Sequence, residues 1–266
     1  MDIDDILASV DRDDFSSPES TALDHQVLTR FWVAERAVSE LLPWPGPLMD
    51  RMMERVRKQI EIIEDLTASF SDPSSNMNNN PTLNLKLCIL QTDLARTQYL
   101  IRSLLRQRLA KLTKHSMHYL LLISPHHQQS QPPSQQSSQQ RPEDSVPDPS
   151  SAADPSPLSP QEAAFLHAHQ TLLARHYGAS FLNSFPPQLR RLDDNAGGTS
   201  MVQGPETKEV VFVRCLAEEV PIVFPPEEGA EFQEEEYGAT MRIGEVWVVR
   251  WEGVKKAWER GEVEIL

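Results

Sequence analysis

The chain has 266 residues, with 25 Lys+Arg against 39 Asp+Glu, a formal net charge of −14 and a hydrophobic share of 39%. That share is below the usual ~45–50%, so part of the chain stays outside a compact core, and the remainder suffices for one or two domains. Two cysteines, Cys88 and Cys215, exclude a disulfide scaffold or a Cys-rich zinc site, and no apolar run reaches the roughly 18 residues of a membrane span.

Residues 1–29 hold eight acids and one base. Ile3, Ile6, Leu7 and Val10 fall on one helical face, while Asp2, Asp4 and Asp5 crowd the first turn, where the helix dipole favours acids. So acidic a start differs from the basic start of a secretory signal, and export is not expected. The helix is too short to persist alone in water. The polar run DRDDFSSPES detaches it from the next helix, which suits helix-in-groove recognition by a partner. The alternative is a terminus docked on its own domain.

A longer helix is expected over residues 22–42, with Leu23, Val27, Phe31, Ala34, Val38 and Leu41 on one face and an end before Pro43. The next covers residues 48–70, with Leu48, Met52, Val56, Ile60 and Ile63 aligned. A polar break, SDPSSNMNNNP, leads to a third helix that starts at Pro81, and proline suits a first helical position. Its seam is Leu83, Leu87, Leu90, Leu94, Ile101 and Leu105, continuing to Leu112. Cys88, inside the apolar run, reads as core filling. Such broad stripes exceed what one short bundle buries, so Leu87, Leu94, Ile101 and Leu105 are expected to pack against other chains.

Residues 30–123 are basic, with thirteen bases against nine acids. The bases cluster as Arg51, Arg55, Arg57 and Lys58, and as Arg102, Arg106, Arg108, Lys111 and Lys114. Arg102 and Arg106 are one turn apart and share a face, so a contact with DNA through Arg102, Arg106, Lys111 and Lys114 is the alternative function. The acidic total and the absence of a groove-reading motif argue against it. His115 and His118 are three apart on a helix, but no third ligand matches them, and no metal site is expected.

Nine of the 21 prolines lie within residues 125–160, a Gln/Pro/Ser stretch expected to be disordered. His126 and His127 within it have no companion ligands. Ser159-Pro160-Gln161-Glu162 then opens a helix by a capping box. That helix carries Phe165, His169, Leu172 and His176 on one stripe and stops near Gly178. His169 and His176 are two turns apart, about 10 Å, too far to share a metal. Residues 193–199 are Gly-rich but lack the Gly-Lys-Ser/Thr ending of a phosphate loop, and read as a linker.

Past Gly204, KEVVFVRCLA, GEVWVVRW and the closing VEIL read as strands, with a short helical stretch at residues 252–260. Trp247, Val249 and Trp251 are expected to hold this terminal sheet. The acidic loop near residues 227–236 has no readable role. No catalytic signature, dinucleotide fingerprint or cofactor motif occurs in the sequence.

The expected fold class is therefore α+β, mainly α. A helical-bundle A domain (residues 21–123 and 159–195) carries the insert at residues 124–158. It comes after a flexible docking peptide (residues 1–20), and a linker (residues 196–204) leads to a small β-rich B domain (residues 205–266).

The ordered series of segments resembles one family, the Sld-five-type subunit of the GINS complex. The resemblance rests on Ala34-Glu35-Arg36 with Glu40-Leu41-Leu42-Pro43, on MMERVRKQI from Met52, and on LCILQTDLARTQYLIRSLLRQRLAKL from Leu87. It continues in Lys114-His115-Ser116-Met117-His118-Tyr119-Leu120, FLNSFPPQLRRLDD from Phe181, VFVRCL from Val211 and the final VEIL. It implies a nuclear, non-catalytic subunit of a four-subunit assembly that has no cofactor of its own. The assembly joins the MCM ring and the Cdc-forty-five protein in the replicative helicase. It also implies that Ile3, Asp4, Asp5, Ile6, Leu7 and Val10 form a docking peptide for a trimeric Ctf-four-type replisome hub.

Overall fold

The computed structural model describes residues 18–71, 81–124, 146–147, 156–186, 190, 202–224 and 237–266. The protein is mainly helical, with six α-helices and five short strands among the described residues. None of these helices is long and apolar enough to cross a membrane. The chain divides into two compact units, residues 1–33 with 45–105, and residues 34–44 with 106–266.

The first unit is built on α1 (Pro18–Ala37), α2 (Gly46–Ser71) and the greater part of α3 (Pro81–Lys114). The seam expected over residues 22–42 is only partly right: Ala34, Val38 and Leu41 are buried, whereas Leu23 and Val27 are exposed and Leu28 and Asp24 take the inner positions instead. Arg51 and Arg55 of α2 meet the Asp24 carboxylate at 2.9 and 2.7 Å. Led by the Arg51 hydrogen bond, they hold its carboxyl below the ordinary range against the opposing effect of burial. Gln59 of α2 donates to the Leu90 carbonyl and the Asp93 carboxylate of α3, at 3.0 and 3.2 Å. Cys88 is exposed, contrary to the core position expected of it. One residue past the Leu87 seam is about 100° around a helix, enough to turn a side chain to solvent.

In the second unit the chain leaves α1 at Ala37, five residues before the expected end. Val38, Leu41 and Leu42 are still buried there, without helical geometry. Side chains of α3 take over as backbone partners: Lys111 donates to the Glu40 carbonyl and Arg108 to the Leu42 carbonyl, each at 2.8 Å. Beyond a break at His115, α4 (Ser116–Ile123) packs against α5 (Pro160–Ser180). The capping box of α5 forms as expected, with Glu162 N–H donating to Ser159 Oγ and Ser159 N–H to the Glu162 carboxylate. The inward stripe of α5 is Leu166, Gln170, Ala174 and Gly178, one to two residues round from the expected one, and Leu172 stands 66% exposed. Buried Gln170 is satisfied by the Ser116 hydroxyl of α4 at 2.8 Å.

The C-terminal part forms β1 (Val210–Cys215), β2 (Glu219–Phe224), β3 (Tyr237–Arg242), β4 (Val246–Arg250), α6 (Trp251–Glu259) and β5 (Val263–Ile265). One antiparallel sheet has the order β4-β1-β5, and β2 pairs with β3 as a separate hairpin that the residue pattern does not announce. Val211, Val213 and Cys215 of β1 face inward with Trp251, Val254 and Ala257 of α6, and the hairpin adds Val220, Ile222 and Met241. Gly261, with φ of 74°, ends α6 in the left-handed conformation that other residues rarely adopt.

Candidate functional site

The second unit centres on a buried charged cluster. Arg108 and Glu35 are 1% and 0% exposed. The guanidinium donates to Glu35 at 3.0 Å, and its Nε and Nη2 grip both Glu162 oxygens at 2.7 and 3.0 Å. It also lies 5.1 Å from the Trp44 ring centre, within cation–π range. Lys111 completes the cluster at 2.6 Å from Glu35. Burial pushes the Glu35 carboxyl up and the Lys111 ammonium down, while each charge opposes the other's shift. Two cations, two carboxylates and two main-chain carbonyls so tie the end of α1, the segment after it, α3 and the cap of α5. The signal in the sequence was polarity on an apolar stripe: Arg108 lies one turn from both Leu104 and Leu112, and those leucines are buried.

A second anchor holds the C-terminal module. The Glu40 carboxylate accepts from Trp251 Nε1 at 2.9 Å and from Lys255 Nζ at 2.7 Å. Beside it, the Leu41 N–H donates to the Tyr119 hydroxyl at 2.9 Å, and burial pushes that phenol up to about 12. These residues border a cleft of about 290 Å³ lined also by Ser156, Trp258 and Glu259.

The segment leading into the module is held at the start of α4 and on the segment after α1. His115 Nδ1 lies 3.1 Å from the Gln203 carbonyl, and Ser39 donates to the Glu206 carbonyl. A Cβ on Gly204 would meet the His118 ring at 3.0 and 3.1 Å. Gly204→Val is therefore expected to displace the imidazole at a cost of about 1–3 kcal/mol, read as a lower thermal midpoint. Acid acts on the same ring. Burial, then the His115 charge, lowers the His118 pKa from 6.5, with Glu40 opposing. The unfolded chain takes up that proton first, so His118 contributes fully above pH 6.5 and its contribution falls as the pH drops below it.

The outward face of the three-stranded sheet carries an apolar patch beside the Arg214–Glu264 ion pair. Phe212 of β1 and Val248 of β4 are directly paired and 56% and 58% exposed, and Val210, Val246 and Leu266 extend the patch. Further exposed aromatic side chains lie on α5 and just past its end, where Phe165 stacks on His169 at 5.7 Å and Tyr177, Phe181 and Phe185 succeed one another at 5.8 and 6.3 Å. Contiguous apolar surface of this kind marks protein interfaces.

The residues singled out from the sequence are dispersed among these features. Leu87 and Leu94 are half-buried, Leu105 is exposed, and Ile101 is buried within its own chain. Trp247 is half-buried, whereas Val249 and Trp251 are interior to the module. Of the basic residues, Arg106 and Lys114 are exposed and Arg102 bonds Gln98, but Lys111 is turned inward onto Glu35. Ile3, Asp4, Asp5, Ile6, Leu7 and Val10 lie outside the described residues. No group of three His, Cys, Asp or Glu side chains among the described residues could hold a metal ion.

Comparison with known proteins agrees with this architecture. A family described as the GINS complex protein helical bundle domain matches residues 59–181, and one described as the DNA replication complex GINS protein SLD5 C-terminus matches residues 205–266. The DNA replication complex GINS protein SLD5 of Chaetomium globosum is 35% identical over the full length of both chains. The protein of that name from Yarrowia lipolytica is 31% identical over 98% of this chain and 84% of its own. That of Schizosaccharomyces pombe is 27% identical over 96% of this chain and 99% of its own.

Proposed function

The chain belongs to the SLD5 family of GINS proteins of DNA replication, and from that premise we propose that it is a non-catalytic scaffold subunit of a nuclear four-subunit GINS assembly. The three other GINS subunits are its direct partners. Through the assembly it serves the replicative helicase with the MCM ring and the Cdc-forty-five protein. The observation that supports a scaffold role is the exposed apolar patch of Val210, Phe212, Val246 and Val248 on β1 and β4, which is suited to burial against another chain.

Phe212→Asp with Val248→Asp tests this. Both side chains point outward, so the fold survives while association weakens at least roughly 100-fold. Co-purification with the other three subunits and the mass of the intact assembly give the readout. Undiminished recovery of the four-subunit complex would remove the support.

The N-terminal residues Ile3, Asp4, Asp5, Ile6, Leu7 and Val10 are the proposed docking peptide for a trimeric Ctf-four-type hub. Their support is the amphipathic spacing and the acidic first turn. Ile6→Ala with Leu7→Ala is expected to weaken peptide binding to the hub about tenfold or more while the assembly stays intact. Equal affinity of the two peptides in a fluorescence titration would reject the assignment. DNA contact through Arg102, Arg106, Lys111 and Lys114 is the weaker alternative, since Lys111 is already paired with Glu35.

A further inference from the structure

Three serines among the described residues stand directly before a proline: Ser124, Ser156 and Ser159. Such a residue is biased to extended backbone, the form in which a proline-directed kinase takes its substrate. Ser124 is 1% exposed, and the Ser159 hydroxyl is the cap of α5. Ser156 differs. It is half-buried, its Oγ accepts only the nearby Leu158 N–H at 3.2 Å among the bonds described, and it lines the same cleft as Glu40.

We propose that Ser156 is a phosphorylation site for a proline-directed Ser/Thr kinase, and that its phosphate loosens the C-terminal module from Glu40. In the transfer, Ser156 Oγ attacks the γ-phosphorus of Mg·ATP and loses its proton to the kinase's base. The Oγ–P bond forms, the bond to the β-phosphate oxygen breaks, and ADP leaves. The product carries a charge of about −1.5 to −2 at pH 7. The lining of the cleft holds two carboxylates, Glu40 and Glu259, and a single cation, Lys255. That cation is already paired with Glu40 at 2.7 Å. A phosphate draws Lys255 to itself and faces Glu40 with a like charge, which weakens the grip on α6 at both Lys255 and Trp251.

The experiment uses the full chain purified with its partner subunits, a recombinant proline-directed kinase and Mg·ATP. Fragment mass spectra are expected to place one phosphate on Ser156, absent from Ser156→Ala and retained in Ser159→Ala. Amide exchange across α6 then rises by about tenfold, the effect of losing one charge-assisted hydrogen bond. In Lys255→Gln the exchange starts higher and phosphorylation adds little. Absence of phosphate on Ser156, or a phosphorylated chain in which α6 exchanges at the original rate, overturns the proposal.

Discussion

Arg108→Ala is expected to destabilise the protein by about 3–5 kcal/mol, because it leaves carboxylates buried without their cation. On a chain of this size that corresponds to a thermal midpoint lower by roughly 6–20 °C. The guanidinium meets two carboxylates and the Leu42 carbonyl from a fully enclosed position, so no water takes its place. Arg108→Lys keeps the charge but loses the planar fork on Glu162, and should fall between the two. The pH dependence identifies the cause. Removing Arg108 deletes one of the influences that lower the Glu35 pKa, so that carboxyl, already raised by burial, rises further. A carboxyl raised in the folded state favours folding at low pH, and the benefit is lost as the pH rises through its folded value. Arg108→Ala should therefore lose less stability at pH 5 than at pH 7.5, and adding Glu35→Gln should recover part of the loss at the higher pH. A change below about 1 kcal/mol, or one independent of pH, would mean that the cluster is not the centre of this unit.

Trp251→Ala should cost a comparable amount, about 3–5 kcal/mol, by emptying the centre of the C-terminal module. The indole is fully buried, packs edge-on to Trp258 at 5.8 Å and donates to Glu40. Trp251→Phe separates packing from the hydrogen bond. It keeps an aromatic ring yet leaves Glu40 with Lys255 as its side-chain donor, at an expected cost of about 1.5–3 kcal/mol. Urea unfolding followed by tryptophan fluorescence measures both. Equal losses for the two variants would show that the contact with Glu40, not the volume of the ring, dominates.

Much of the secondary structure was legible from local chemistry. The capping box at Ser159 forms as its residues require, and the α2 seam keeps Leu48, Met52 and Val56 buried. The strands containing Val211, Val249 and Val263 lie where β-branched runs placed them. The departures share a cause. The end of α1 and the inward face of α5 each depend on what the partner element presents, and that partner is distant in sequence. The β2–β3 pairing is hidden because Pro221 interrupts one strand and a long acidic stretch of sequence separates the pair, so no tight-turn signal connects them.

The charge divides in the same way. Residues 30–123 read as a basic surface, yet Arg51, Arg55, Arg108 and Lys111 turn inward to Asp24, Glu35 and Glu162. Composition and periodicity by themselves determined that the chain is mainly helical and ends in a small β-rich module, since those properties are written in neighbouring residues; the family resemblance came instead from the ordered series of segments. Which charges serve as anchors and which apolar faces remain for partners was decided by the tertiary structure alone. A buried ion pair such as Glu35 with Arg108 joins positions 73 residues apart. Its existence depends on exclusion of water, a property of the packed interior that no local pattern encodes.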